Sequence, residues 1–513
     1  MCWPLFGAPT VKINLSPLHY LVALSKDIVE IKIVESRKTI GIKINNRMFT
    51  MIFYNKDTQM QTHFLKSGVT EITPENMNKA LQQAIEIEIA TLPTYLSTYY
   101  SINRTPKQAP IAAKLTEILL AKGLNEQQAL TQSIKYSSKI MVFANKAGAN
   151  VMSVLVEEML HMSLAANVKQ AMFGDPDLVN KSPTVWPAYL AGHEPAFPIN
   201  RAKLSHEQLE TFKLIESPKS FDKVLANVKA IPYLTIGEFY KSIERCIKQH
   251  YGDKKHYHPD RAQLVPNRGY YAQNNIDTIY YDKNHQPVYE NAADAGGLIH
   301  VVDQTSALAA LAIIVEQGEG AGEGSDDDTS HHELAHYYKF AQLQDELAAI
   351  RQEFQTVFGK SMAVDKFFIY NFADNAKTAD YPVAIAAVST LTNAVYSYLF
   401  IMSQACYRAD EHTQFEIFMF GIHKTMLWIL SSLCGEMTGF TYIGSDGKQY
   451  AATATYEEYQ FNAASTPKSQ IIALFNQAVG GYSGIAYIEQ RIKDLPDVAL
   501  EGFLEKSKSP LMA

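Results

Sequence analysis

Between Val154 and Leu164 the chain sets Glu158 and His161 among Val154, Leu155, Met159, Leu160, Met162 and Leu164. A run with that spacing forms a helix, and residues three apart on a helix share a face. An acid and an imidazole on one face of an apolar helix need a partner, because an unpaired buried charge costs several kcal/mol. The helix must therefore pack against others that supply one. That partner is either another side chain, which makes Glu158 and His161 a metal-free core pair, or a cation, which makes them ligands. A second Glu-x-x-His, Glu333-Leu-Ala-His336, also falls in helical pattern. Two such pairs among fifteen histidines is a count near chance, so the apolar context carries the argument.

Four-helix bundles that hold two metals draw one Glu from each of two helices and a Glu-x-x-His from each of the other two, so that four carboxylates balance two divalent cations. Upstream, Ala84 to Tyr95 offers Glu86 and Glu88, about 200° apart around a helix, so at most one points inward. Glu88 is chosen because Thr91 and Tyr95 follow it on the same face. The other half-site is drawn from Glu238, near a helix start, Glu316, near the end of the next helix, and His336, with Glu319 and Glu333 as substitutes. Glu238 also reads as a simple carboxylate at a positive helix end. The expected metal ligands are thus Glu88, Glu158, His161, Glu238, Glu316 and His336. Tyr95 and Tyr240 are the expected catalytic positions, as hydrogen-bond donors to ligands or radical relays, although core tyrosines are commonly structural.

The rest of the chain divides around these helices. Ile40, Ile42 and Ile44 alternate with polar residues, as do Val29, Ile31 and Ile33, which predicts a small β-rich segment over 1–70. Thr73-Pro74-Glu75 then signals a helix start. The periodicity predicts helices over 74–102, 111–138, 146–172, 235–248, 303–317, 331–358, 383–407 and 411–433. Residues 71–360 are read as a helical bundle with long inserts at 174–234 and 251–299, and 361–513 as a C-terminal helical region. The inserts read as functional loops or a lid. The glycine- and Asp-rich run from Gly318 to Ser330 lacks any phosphate-binding spacing and reads as an acidic hairpin.

Composition removes several classes of function. With 46 Lys and Arg against 53 Asp and Glu, the formal charge is -7, which gives no drive toward nucleic acid or anionic membrane. The uncharged stretch from Tyr381 to Tyr407 holds Ser389, Thr392, Asn393, Ser403 and Gln404, too polar for a lipid-facing span and suited to a buried bundle helix. Four cysteines without a CxxC pair indicate neither a disulfide framework nor a thiolate zinc site. Met1 to Thr10 lacks a secretory pattern, so a cytoplasmic location is expected.

Five blocks in order carry a resemblance: Leu81 to Ser101, Val156 to Gly174, Thr235 to Ile243, Ile314 to Gly320 and Ala335 to Phe340. In these blocks the chain resembles the ferritin-like domain of the iminophenyl-pyruvate dimer synthase family, which includes the dimer-forming enzymes of violacein and rebeccamycin biosynthesis. The resemblance implies that Glu88, Glu158, His161, Glu316 and His336 are functional positions. It also implies oxidative work on an amino-acid-derived imine or similar natural-product precursor, a branch of secondary metabolism. Those synthases are longer chains, and some are haem proteins, so the resemblance leaves both iron and haem open.

The expected fold is mainly α: a ferritin-like four-helix bundle with a small N-terminal β-rich segment and a C-terminal helical extension. The expected function is that of an oxidoreductase with a metal, iron in a di-metal centre or haem, acting on a small-molecule substrate. The alternative is a non-catalytic ferritin-like metal-binding or scaffold protein. No nucleic-acid or membrane partner is expected, and a homodimer is the candidate assembly.

Overall fold

The computed structural model describes residues 71–217, 230–265, 297–319 and 333–500, together with the backbone of short strands within 11–52 and at 327–328. The chain divides into two units, Met1–Lys66 and Ser67–Ala513. In the first, β1 (Val11–Leu15) pairs antiparallel with β2 (Leu18–Val22). β3 (Val34–Ser36), β4 (Thr39–Ile44) and β5 (Arg47–Ile52) form an antiparallel sheet with Ile44 opposite Arg47. The alternation at Ile40, Ile42 and Ile44 falls on β4, whereas Val29 to Ile33 lies outside the described residues.

The second unit is helical. Its first helix, α1 (Met77–Ser101), begins after Asn76 folds back to accept from the Thr73 amide at 2.8 Å. α2 (Gln108–Ala121) and α3 (Glu126–Met172) follow. The break expected near 139–145 falls instead at Gly123, whose φ of 88° ends α2, and at Asn125, which caps α3 by accepting from the Gln128 amide. Gly148, a helix breaker by propensity, is carried inside α3 because the Arg104 side chain crosses it: a Cβ there would come within 2.4 Å of Arg104 Cδ.

Part of the insert expected as loop over 174–234 is helical. Ser205 accepts from the Gln208 amide and opens α4 (His206–Ile215), which buries Leu209, Phe212 and Ile215. α5 (Ile236–His250) starts from Thr235, whose hydroxyl caps the Glu238 amide. α6 (Gln304–Glu319) and α7 (His336–Phe358) complete this part of the unit. α1, α3, α5 and α6 pack on one another, and α4 lies along α7. Glu333 does not share a helix with His336: it lies in the two-residue strand Glu333–Leu334, paired with Asp327–Asp328, and α7 starts after Ala335.

Residues 361–500 belong to the same unit. α8 (Val383–Cys406), α9 (Glu411–Thr438) and α10 (Pro467–Gly481) pack together, and the end of α9 meets α1. α9 contains two π-helical stretches, Ile417–His423 and Thr425–Leu430. By length and composition α3, α8 and α9 are each long and apolar enough to cross a membrane. Inside the fold, 89%, 83% and 50% of their most apolar windows are buried. The polar residues of α8 are used internally: Asn393 Nδ2 donates to Thr455 Oγ1 at 2.9 Å, and Asn393 Oδ1 accepts from the Glu457 amide at 3.1 Å.

Candidate metal centre

α1 turns Glu88, Thr91 and Tyr95 toward α3, which turns Glu158 and His161 back toward them, and His336 enters from the first turn of α7. Glu88, Glu158, His161 and His336 are each at most 3% exposed. The third acid is Glu216, at the C-terminal cap of α4. The ligating atoms of Glu88, Glu158 and His161 all lie within 4.8 Å of one another, as do those of Glu158, Glu216 and His336. Glu158 belongs to both groups, and the two imidazoles stack with centroids 5.4 Å apart.

One regularity organises the three carboxylates. Each has one oxygen held by a hydroxyl: Tyr240 donates to Glu88 Oε1, Thr91 to Glu158 Oε2 and Tyr95 to Glu216 Oε1, all at 2.5 Å. The other oxygen faces an imidazole. Glu88 Oε2 lies 3.7 Å and Glu158 Oε1 3.8 Å from His161 Nδ1, and His336 Nδ1 lies 3.2 Å from Glu158 Oε1 and 3.5 Å from Glu216 Oε2.

The histidines are held in the same manner. His161 Nε2 is 2.9 Å from Gln317 Oε1, and His336 Nε2 is 2.6 Å from Glu157 Oε2. Lys339, fully buried, donates to both Glu157 oxygens at 3.2 and 3.0 Å. Pinning the outer ring nitrogen in this way fixes the tautomer and leaves Nδ1 as the inward atom, which is how metal-binding histidines are oriented. Among the described residues His336 Nδ1 is buried with no hydrogen-bond partner, although its carboxylate neighbours lie 3.2 and 3.5 Å away. Orphaned buried polar atoms are rare and mark sites with a missing partner.

The electrostatics agree. Burial, with Glu216 nearby, raises the Glu88 carboxyl to about 8 against the favourable Tyr240 bond, and burial together with Glu216 raises Glu158 to about 7. Burial lowers His161. Burial also works to lower His336, but the Glu157, Glu158 and Glu216 carboxylates outweigh it and hold that ring well above its ordinary value. Tyr95 and Tyr240 are pushed well above theirs, mainly by burial, so both stay protonated donors. Carboxylates crowded out of water take up protons when no cation is present, and a cation restores them. A cavity of about 10 Å³ against Glu88, Glu158, His161 and Glu216 gives the room that one small occupant needs.

Four of the expected ligands, Glu88, Glu158, His161 and His336, meet at this centre, and Tyr95 and Tyr240 bond directly to its carboxylates. Two do not. Glu238 is exposed on the first turn of α5; Tyr240 lies two residues on, about 200° around the helix, so an inward Tyr240 turns Glu238 outward. Glu316 is half-buried outside the cluster, and its neighbour Gln317 takes the inward direction. The side chains of Glu319 and Glu333, the two substitutes, lie outside the described residues, as does the segment from Tyr270 to Tyr289. Glu216 was hidden in sequence by its position at the end of a short helix. Its signal is the Ser205-x-x-Gln208 capping pattern followed by Leu209, Phe212 and Ile215 at helical spacing.

A family model described as Ferritin-like matches residues 81–345, more than half of the chain. The chain belongs to the ferritin-like family. Among solved structures, a ferritin-like protein from Caulobacter vibrioides is similar at 17% identity with a TM-score of 0.37, over 70% of this chain and 97% of that one. No curated protein matches the chain. All five helical sequence blocks, Leu81 to Ser101 through Ala335 to Phe340, fall within the ferritin-like match. The ferritin-like fold and the buried Glu and His cluster are together consistent with a di-metal centre, one ion between Glu88, Glu158 and His161 and one between Glu158, Glu216 and His336.

Proposed function

We propose that the protein is a metal-dependent oxidoreductase, with iron as its metal, acting on an amino-acid-derived or natural-product precursor. One observation carries this reading. The free oxygens of Glu88, Glu158 and Glu216 and the Nδ1 atoms of His161 and His336 converge, while the other polar atom of each group is tied to an outer partner. Such a centre, when loaded, supplies the redox chemistry with O2 that amino-acid side chains lack.

The chain's own residues do the rest. Tyr95, Thr91 and Tyr240 hold the carboxylates in place, and their hydroxyl protons stay on the donors. Gln317 and Glu157 orient the rings, and Lys339 balances the charge of Glu157. Buried apolar residues such as Ile314 and Phe340 exclude water. The resemblance of the five sequence blocks to the iminophenyl-pyruvate dimer synthases supports the choice of substrate class.

The test is metal analysis and O2 uptake on protein produced in iron-supplemented cells. Expected are about two iron ions per chain, O2 consumption on reduction, and loss of both in Glu158→Ala. A metal content near zero that Glu158→Ala leaves unchanged would sink the proposal.

A further inference from the structure

A second, much larger cavity, about 590 Å³, lies between α1, α3, α8 and α9. It shares α1 and α3 with the metal centre but none of the residues around that centre's own small cavity. Its walls are largely apolar, with Leu96, Leu155, Met159, Leu399, Ile422 and Met426 among them. Protein interiors rarely tolerate voids larger than a water molecule, and the cost of an apolar void rises with its volume. The volume falls within the range of small-molecule sites, about 300 to 1,000 Å³.

Two further observations point to a ligand. The first is α9, whose π-helical stretches supply Phe418, Ile422 and Met426 to the wall. π-Helical turns are rare in helices and concentrate at functional sites. The second is charge. Among the described residues, Arg104 is the single charged one in the lining. Its aliphatic stem lies across Gly148, and its guanidinium sits 4.6 Å from the centre of the Tyr99 ring. No carboxylate among the described residues pairs with it, whereas Arg351 and Arg408 each hold an aspartate. A half-buried guanidinium with no carboxylate partner among the described residues, at the edge of an apolar chamber, matches one ligand chemistry, an apolar body ending in a planar anion.

We propose that this cavity binds a long-chain carboxylic acid, its hydrocarbon chain among the leucine and methionine side chains and its carboxylate on Arg104. The inference is independent of the metal centre. Methionine walls suit such a guest because their side chains reshape around chains of differing length.

Calorimetry on the full chain with dodecanoate, kept below its micelle concentration, tests this. Saturable one-to-one binding is expected. Arg104→Leu should weaken dodecanoate by about tenfold or more while leaving methyl dodecanoate unchanged. Met426→Trp should abolish both, with each variant's thermal melt checked against the parent. No saturable binding of dodecanoate overturns the proposal. So does equal affinity for acid and ester in the parent protein, or an Arg104→Leu variant that melts like the parent and binds the acid as well.

Discussion

The replacement Glu88→Gln isolates the electrostatic argument for a cation. Burial raises the Glu88 carboxyl from its ordinary 4.5 to about 8. The unfolded chain releases this proton near 4.5, whereas the folded chain keeps it until about 8. Between those values the folded state binds more protons, so stability falls as pH rises. At about 1.4 kcal/mol per unit, the loss between pH 6.5 and 8 comes to roughly 1.5 to 2 kcal/mol. The window starts at 6.5 because His193, held at about 4 by burial, contributes in the opposite sense below the ordinary histidine value of 6.5. The introduced amide cannot titrate and can still accept from Tyr240, so the variant should lack this loss. Urea unfolding in chelator at half-unit steps from pH 6.5 to 8 measures the difference between parent and variant. Added manganese or cobalt should then raise the parent curve most at pH 8, where proton and cation no longer compete. Parallel curves for parent and variant in chelator would refute the reasoning.

Three other outcomes follow from the same geometry. Glu157→Gln leaves the Lys339 ammonium buried opposite a neutral amide and should cost about 3 to 5 kcal/mol in urea unfolding, part of it recovered by adding Lys339→Met. Gln317→Leu removes the outer partner of His161 and should weaken metal binding by about 10- to 100-fold, read by competition with a chromophoric chelator. Glu216→Ala should lower metal content, whereas Glu238→Ala, on an exposed turn, should leave it unchanged and shift stability by no more than about 0.5 kcal/mol; elemental analysis and thermal melts separate the two.

What sequence reveals here follows helix geometry. Glu88, Glu158 and His161 sit mid-helix, where apolar neighbours on both sides define the inward direction, and the structure brings them together. His336 stands at a helix start, and its partner Glu157 is adjacent in sequence to Glu158, about 100° around α3, a direction that a search for i, i+3 pairs does not sample. Expecting both Glu238 and Tyr240 to face inward asked two residues about 200° apart to point the same way. Glu216 lies at a helix C-terminus inside a Pro-rich stretch, where no downstream periodicity reports its direction. The join expected at 139–145 lies instead at Gly123 and Asn125, a left-handed glycine followed by a helix cap, inside the stretch whose periodicity reads as one helix over 111–138.

Glu158 turns one and the same oxygen toward both imidazoles, 3.8 Å from His161 and 3.2 Å from His336. Two ions held here would both draw on the Glu158 carboxylate, so neither could arrive without altering its neighbour's hold. Loading curves for this protein should therefore depart from those of two identical, indifferent seats, and by reciprocity the departure is the same whichever seat fills first.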